Sequence, residues 1–133
     1  MLNSILVVDD DPQIIQLASI GLKATHPELT IYTAQNGRQA IREVCSVKPN
    51  LMLIDLRMPE LDGEEVVKQL RESDNEGADL PVVFFTGKPR DVSHVEGCLG
   101  TIEKPFDPLA LGGELQRLVV GAEAARGGQT PEE

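Results

Sequence analysis

Residues 51–63 read Leu-Met-Leu-Ile-Asp-Leu-Arg-Met-Pro-Glu-Leu-Asp-Gly, and the interpretation of the fold begins with this segment. Its four leading apolar residues follow a Pro49-Asn50 turn signal and predict a short strand buried on both faces, as in a parallel sheet covered by helices. Asp55 stands where this strand must end. Met58-Pro59 then breaks regular structure, and Asp62-Gly63 marks a turn or a helix start. A carboxylate on a strand tip that is backed by a loop is a candidate for chemistry.

A second acidic strand end occurs near the N-terminus. The apolar run at residues 4–8 ends in Asp9-Asp10-Asp11. If the two strands are parallel neighbours, their acidic ends meet at the carboxyl edge of the sheet, where open α/β sheets place their ligands. Two carboxylates about 4 Å apart repel by roughly 4 kcal/mol at an effective dielectric of about 20. We therefore expect a cation, and ligand atoms that are all oxygen favour Mg²⁺.

Strand-like and helix-like segments alternate along the chain. Apolar strand patterns occur near residues 4–8, 29–34, 51–54, 82–85 and 100–103. Helix patterns follow the capping residues Asp11, Asn36 and Asp107, and a further helix is expected over about residues 63–73. Five alternations predict an α/β fold in which helices cover both faces of a parallel sheet. The periodicity leaves the strand order open.

The composition restricts the partners of the chain. Its 133 residues suit one domain, and 12 basic against 22 acidic side chains give a formal charge of −10. That charge argues against direct nucleic-acid binding, which needs a basic patch. No apolar segment approaches the roughly 20 residues that cross a bilayer, and the start lacks a basic signal region. We expect a cytoplasmic location, with no membrane as partner.

The last 13 residues differ from the rest in composition. Residues 121–133 are small or polar and include the adjacent pair Gly127-Gly128, so they offer few side chains for a core. We expect a single domain over residues 1–120, followed by a flexible tail or linker stub over 121–133.

Four motifs in order make the chain resemble a known family. They are the acidic pair Asp9-Asp10, the 55–63 segment, Thr86-Gly87 after a strand, and Lys104-Pro105-Phe106. Over about residues 3–120 the chain resembles the receiver domain of two-component response regulators. The resemblance implies a flavodoxin-like, doubly wound five-stranded sheet in the order 2-1-3-4-5, with five helices.

The resemblance also implies the activity. Asp55 is then the phosphoacceptor, whose carboxylate attacks the phosphorus of a phosphohistidine on a sensor histidine kinase or a phosphotransfer protein. The modified domain changes its binding to an output protein partner. Such a domain is a signalling switch and not an enzyme, since it catalyses only its own phosphoryl transfer and slow autodephosphorylation.

Further site residues follow from the same resemblance. Asp9, Asp10 and Asp55, with the backbone carbonyl of Arg57, hold Mg²⁺, Asp10 directly and Asp9 largely through water. Asp11 fits a helix cap better than a third ligand from the acidic cluster. Lys104, aimed by a cis Lys104-Pro105 bond, places a point charge on the phosphoryl group. Thr86 hydrogen-bonds that group and reports its presence.

The chain departs from the family pattern between its fourth and fifth strands. Thr101 occupies a position where the family usually carries an aromatic residue, and Lys104 follows Thr86 by only 18 positions. That separation is about one helical turn shorter than is usual. We therefore expect the fourth helix to be short or irregular, and we expect the signal to be read out through residues 87–100. The side chains of Arg57 and Lys88 should overhang the phosphoryl pocket and shield it from water.

Other functions remain open from sequence. A Mg²⁺-dependent phosphohydrolase of the haloacid-dehalogenase type also uses an Asp nucleophile, but it wants a second Asp two residues later, where this chain has Arg57. A receiver retired to a scaffold would not need the intact set of site residues. A fragment of a larger regulator, with an output domain elsewhere, fits the motifs as well as a receiver that stands alone.

Overall fold

Five parallel strands form one sheet in the computed structural model, which describes residues 2–73, 76–88 and 91–129. The strands are β1 (Ser4–Val8), β2 (Thr30–Ala34), β3 (Leu51–Asp55), β4 (Val82–Thr86) and β5 (Cys98–Glu103), in the spatial order β2-β1-β3-β4-β5. All four neighbouring pairs are parallel. The expected α/β class and the order 2-1-3-4-5 are confirmed.

Four α-helices connect or follow the strands in the described residues. They are α1 (Pro12–Thr25), α2 (Gly37–Val47), α3 (Gly63–Arg71) and α4 (Pro108–Gln129), and a short 3-10 helix spans Glu76–Asp79. The side chains of Asp11 and Asn36 cap α1 and α2 by accepting backbone N–H bonds. Asp62 begins α3 in a capping box with Glu65, which satisfies two of the backbone N–H groups at that helix start.

The helices divide the core into two layers. One layer packs β-sheet residues against α2 and α3, and the other packs them against α1 and α4. Every residue of β3 and β4 is buried, because both central strands are covered on both faces. The sheet therefore holds the carboxyl ends of its strands on a rigid base.

The expectation of five helices is wrong for the described residues. Between β4 and β5, residues 91–97 form turns and no helix, and Pro89 and Arg90 lie outside the described residues. Among the described residues of this connection, only Val92 and Val95 are apolar anchors to the neighbouring core layer. Gly97 also has a φ of 78°, which no α-helix accommodates. The short connection consequently leaves part of α3 without a helix beside it.

The C-terminal part of the chain also differs from expectation. α4 continues to Gln129, so residues 121–129 are helical where we expected a flexible tail to begin. Residues 130–133 lie outside the described residues, and the division into a domain and a linker stub stays a prediction. Among the described helices, none combines the length and the apolar character required to cross a bilayer.

Candidate functional site

The order of the strands brings the sequence-predicted site residues together. Val8 of β1 pairs with Ile54 of β3, so Asp9 and Asp55, which follow them, end neighbouring strands. On the other side of β3, Thr86 pairs with Glu103, and Lys104 comes next. The backbone N–H of Lys104 donates to the carbonyl of Thr86 at 2.7 Å, which fixes the chain at this strand end.

Lys104 joins the two buried carboxylates. Its Nζ lies 2.7 Å from Asp9 Oδ2 and 3.0 Å from Asp55 Oδ2. Asp9 is fully buried and Asp55 is 8% exposed. Burying an unpaired carboxylate costs roughly several kcal/mol. The ammonium of Lys104 offsets this cost and so stabilises the folded arrangement of the two strand ends.

The burial of this group shifts its protonation equilibria. Burial raises the pKa of Asp9, and the neighbouring carboxylate of Asp55 adds to the rise, while hydrogen bonds from Lys104 and from the backbone N–H of Asp11 oppose it. Burial would lower the pKa of Lys104, but its hydrogen bonds to Asp9 and Asp55 outweigh burial and raise it. Lys104 is therefore held in its cationic form.

The ammonium of Lys104 lies over one ring of a stacked aromatic pair. Its Nζ lies 5.6 Å from the centroid of the Phe85 ring, within the range of a cation–π contact. Phe106 stacks on Phe85 with 5.1 Å between ring centroids. The Lys104-Pro105 bond is cis, as expected from the family resemblance.

The loop after β3 fixes the carboxylate of Asp55 through a backbone hydrogen bond. The backbone N–H of Arg57 donates to Asp55 Oδ1 at 3.1 Å, and the N–H of Gly63 donates to the carbonyl of Leu56 at 3.1 Å. A Cβ at position 63 would lie 2.5 Å from the carbonyl oxygen of Asp55. Gly63 is therefore required here because the start of α3 packs directly on the backbone of the site.

The acidic cluster has the donors that Mg²⁺ prefers. One carboxylate oxygen from each of Asp9, Asp10 and Asp55 lies within 4.8 Å of the others. Asp10 is exposed and can reach an ion from the solvent side, while Asp9 Oδ1 accepts the N–H of Asp11 at 2.9 Å. The Asp11 side chain accepts from Gln13 N–H at 2.9 Å, so its predicted role as a helix cap is confirmed.

Thr86 lies at the site, but its hydroxyl is engaged elsewhere. Oγ1 donates to the backbone carbonyl of Lys88 and accepts from the N–H of the same residue at 3.2 Å. Thr86 is 7% exposed. A hydrogen bond from this hydroxyl to a new acceptor would release the backbone of Lys88, at the start of the short connection to β5.

Sequence reasoning missed the role of Arg71 at the end of α3. Its Nε donates to the carbonyl of Glu96 at 3.0 Å, and its Nη1 donates to the carbonyl of Gly77 at 2.9 Å. A Cβ on Gly97 would lie 2.3 Å from Arg71 Nη2, so the glycine makes room for the guanidinium. Arg71 therefore ties two irregular segments to α3. A basic residue in a last helical turn gives no sequence signal for such long-range contacts.

Comparison with known proteins agrees with this geometry. The family model described as "Response regulator receiver domain" matches residues 5–116, and the chain belongs to that family. It is thus the receiver domain of a two-component response regulator, the class of phosphorylation-controlled signalling switches.

Individual relatives show the same likeness. The chain is 32% identical over 129 residues to the alkaline phosphatase synthesis transcriptional regulatory protein PhoP of Bacillus subtilis, covering 94% of this chain and 52% of that protein. It is 35% identical over 113 residues to the response regulator GtcR of Aneurinibacillus migulanus, covering 82% of this chain and 44% of that protein. The chain spans about half the length of these relatives.

A solved structure has the same fold. The chemotaxis response regulator CheY4 of Vibrio cholerae superposes with a TM-score of 0.77 at 27% identity, covering 89% of this chain and 99% of that one. The chain therefore has the fold of that response regulator.

Proposed function

We propose that Asp55 is the phosphoacceptor of this receiver domain and that a phosphohistidine on a sensor histidine kinase or phosphotransfer protein is the donor. The observation that carries this assignment is the contact of Asp55 with Lys104 Nζ at 3.0 Å, in one cluster with the carboxylates of Asp9 and Asp10. Asp55 is 8% exposed, so its carboxylate is nearly enclosed yet still reaches the surface.

The transfer is a displacement at phosphorus. An oxygen of the Asp55 carboxylate forms a bond to the phosphorus, the bond between phosphorus and the histidine nitrogen breaks, and the imidazole leaves with that electron pair. The product is an acyl phosphate. Lys104 is a compact cation beside the acceptor, and it stabilises the negative charge on the phosphoryl oxygens.

Mg²⁺ is the proposed cofactor. Its ligands would be Asp10 directly, Asp9 largely through water, Asp55 and the backbone carbonyl of Arg57. The three carboxylates lie close enough for this role, and all of the donors are oxygen. When bound, the ion supplies charge neutralisation for the phosphoryl oxygens. The chain's own part is to hold these oxygens in place before the donor arrives.

The phosphoryl state would act by changing partner binding. We propose that Thr86 turns its hydroxyl to the phosphoryl group and leaves Lys88, whose N–H now donates to it at 3.2 Å. The connection 87–100 then moves, and an output protein reads the change. The exposed side chains of Arg57 and Lys88 would shield the acyl phosphate from water.

The remaining parts of the proposal concern class, place and partners. A dehalogenase-type phosphohydrolase needs a second Asp at position 57, where this chain has Arg57 with an exposed side chain. We therefore propose a signalling switch rather than an enzyme. The cytoplasm is the proposed location. The net charge of −10 supports protein partners over nucleic acid.

Mass measurement after exposure to a small phosphodonor tests the assignment. Acetyl phosphate or phosphoramidate with Mg²⁺ should add one phosphoryl group to the protein and none to Asp55→Asn. Asp107→Asn is the matched control, because Asp107 caps α4 through Leu109 N–H at 3.0 Å and Asn caps helices equally well. If Asp55→Asn were phosphorylated normally, the nucleophile would be a residue other than Asp55, and the assignment would be wrong.

A further inference from the structure

A groove lies between α3 and the short connection that precedes β5. It has a volume of about 560 Å³. Glu64, Val67, Lys68 and Arg71 form its α3 wall, at the helical spacing that places them on one side of the helix. The opposite wall is residues 94–96. We call this feature the α3 groove.

Contacts at its two ends hold the walls of the α3 groove in place. At one end His94 Nε2 lies 3.2 Å from Glu64 Oε1, and at the other Arg71 Nε donates to the carbonyl of Glu96 at 3.0 Å. Arg71 follows Glu64 by seven positions, so the ends are roughly 10 Å apart at the rise of an α-helix. That length accommodates about two turns of a docked helix.

The bottom of the α3 groove is apolar and its rim is acidic. Val67 and Val95 both pack into the adjacent core layer, and Val95 remains partly exposed. Four glutamates line the groove against one lysine and one arginine; the glutamates are Glu64, Glu65, Glu72 and Glu96. Glu64 contacts His94, Glu65 accepts the N–H of Asp62, and Arg71 donates to backbone carbonyls, so the exposed carboxylates of Glu72 and Glu96 form the acidic rim that a ligand meets. A ligand that fits must carry positive charge on the flanks of a small apolar face.

We infer that the α3 groove binds a basic amphipathic helix of a partner protein. The glutamate rim selects lysine or arginine flanks, and the partly exposed Val95 receives one apolar side chain, while Val67 is only 1% exposed. A second copy of this chain would bring a net charge of −10 to an acidic rim, so like charges oppose self-association there. Nucleic acid is excluded by the same acidic rim. The contact needs no phosphoryl group, so it can be tested on the unmodified protein separately from the function proposed for Asp55.

A designed peptide tests the inference on the unmodified protein. The probe is a labelled peptide of about 16 residues, long enough to form a marginal helix, with leucines on one face and lysines on both flanks. A scrambled peptide of identical composition controls for attraction between any cation and this acidic chain. We expect the amphipathic peptide to bind at least about tenfold more tightly than the scrambled one, since only it presents the apolar face together with the charges.

Chemical shifts locate the contact. Amide resonances of residues 64–72 and 94–97 should move on titration with the peptide, while those of α1 and α2 stay in place. Equal binding of the two peptides, or shifts confined to other elements, would overturn the inference. If the same amides became protected as the protein concentration rises, the groove would bind a second copy of this chain. That result would also overturn the inference.

Two variants examine the groove directly. Val95→Asp should weaken peptide binding by about tenfold or more, because a carboxylate would replace the apolar contact. Leu17→Asp is its control, because Leu17 is a 47% exposed apolar residue on α1, and it should bind the peptide normally.

A second variant changes only charge, so the inference can still be tested if Val95→Asp disturbs the connection that precedes β5. Glu72→Gln combined with Glu96→Gln removes two exposed charges from the rim and should weaken binding several-fold. Glu28→Gln combined with Glu123→Gln removes the same charge at exposed sites outside the groove. Equal losses for the two pairs would show attraction to net charge alone and would refute a defined site.

Discussion

Lys104 Nζ lies 3.0 Å from the Asp55 carboxylate, although 49 positions separate the two residues in the chain. The same ammonium bonds Asp9 at 2.7 Å, so one cation is the shared partner of both buried strand ends. The cation that we propose will meet a phosphoryl group is therefore already positioned at the acceptor. The positive charge of Lys104 also weakens the negative potential that would attract a metal ion to these carboxylates.

Replacement of Lys104 should have opposite effects on phosphorylation and on metal binding. Lys104→Met keeps an apolar stem over Phe85 but removes the ammonium, so phosphoryl transfer from acetyl phosphate should slow by about tenfold or more, equivalent to about 1.4 kcal/mol. The Mg²⁺ affinity of the unmodified protein should rise, because the carboxylates lose their internal cation. Phosphorylation time courses and metal titrations measure the two effects.

Lys23→Met is the control for the loss of one positive charge. Lys23 Nζ contacts the carbonyl of Leu29 at 3.0 Å and takes no part in the acidic cluster. If both variants change Mg²⁺ affinity alike, the effect comes from net charge and not from the Lys104 ion pair.

Asp10 and Asp11 should differ in their effect on metal binding. Asp10→Asn removes an exposed carboxylate of the cluster and should weaken Mg²⁺ binding by about tenfold. Asp11→Asn should leave the affinity nearly unchanged, because Asp11 caps α1 and Asn can do the same. Calorimetric titration, or the Mg²⁺-dependent rise in melting temperature, separates the two variants. Equal weakening would make Asp11 a ligand.

The release of Lys88 should be visible by hydrogen exchange. With beryllofluoride and Mg²⁺ as a stable substitute for the phosphoryl state, we expect faster exchange in the connection 87–100, because Thr86 no longer bonds the Lys88 backbone. Thr86→Val should bind beryllofluoride yet lose this change, since it keeps the shape of Thr86 but lacks the hydroxyl. Changes confined to α1 or α3, with the connection unaltered, would contradict this readout.

Arg71 should contribute to stability through the two segments that it ties to α3. Arg71→Leu removes charged donors to the carbonyls of Glu96 and Gly77 and should lower the free energy of unfolding by about 1–3 kcal/mol. Urea unfolding measures the loss. Arg42→Leu, at an exposed position on α2, is the control and should change stability by less than about 0.5 kcal/mol. If the two variants lost similar free energies of unfolding, the contacts of the Arg71 guanidinium would not account for the stability.

The local elements and the chemistry at their ends were predictable from the sequence. The start of β1, the caps at Asp11 and Asn36, and the helix start after Asp107 follow from short-range rules of hydrophobic pattern and capping, which act over a few residues. The family motifs added the sheet order and the cis Lys104-Pro105 bond, neither of which periodicity could supply.

Features that depend on contacts between distant residues emerge only in the packed fold. The sequence pattern left room for a helix between β4 and β5, yet residues 91–97 form turns, held by Arg71 and anchored by Val92 and Val95. The α3 groove exists because of that connection. A chain can bring a guanidinium from position 71 to a carbonyl at 96 only after α3 and the sheet have packed. No local pattern therefore encodes the contact.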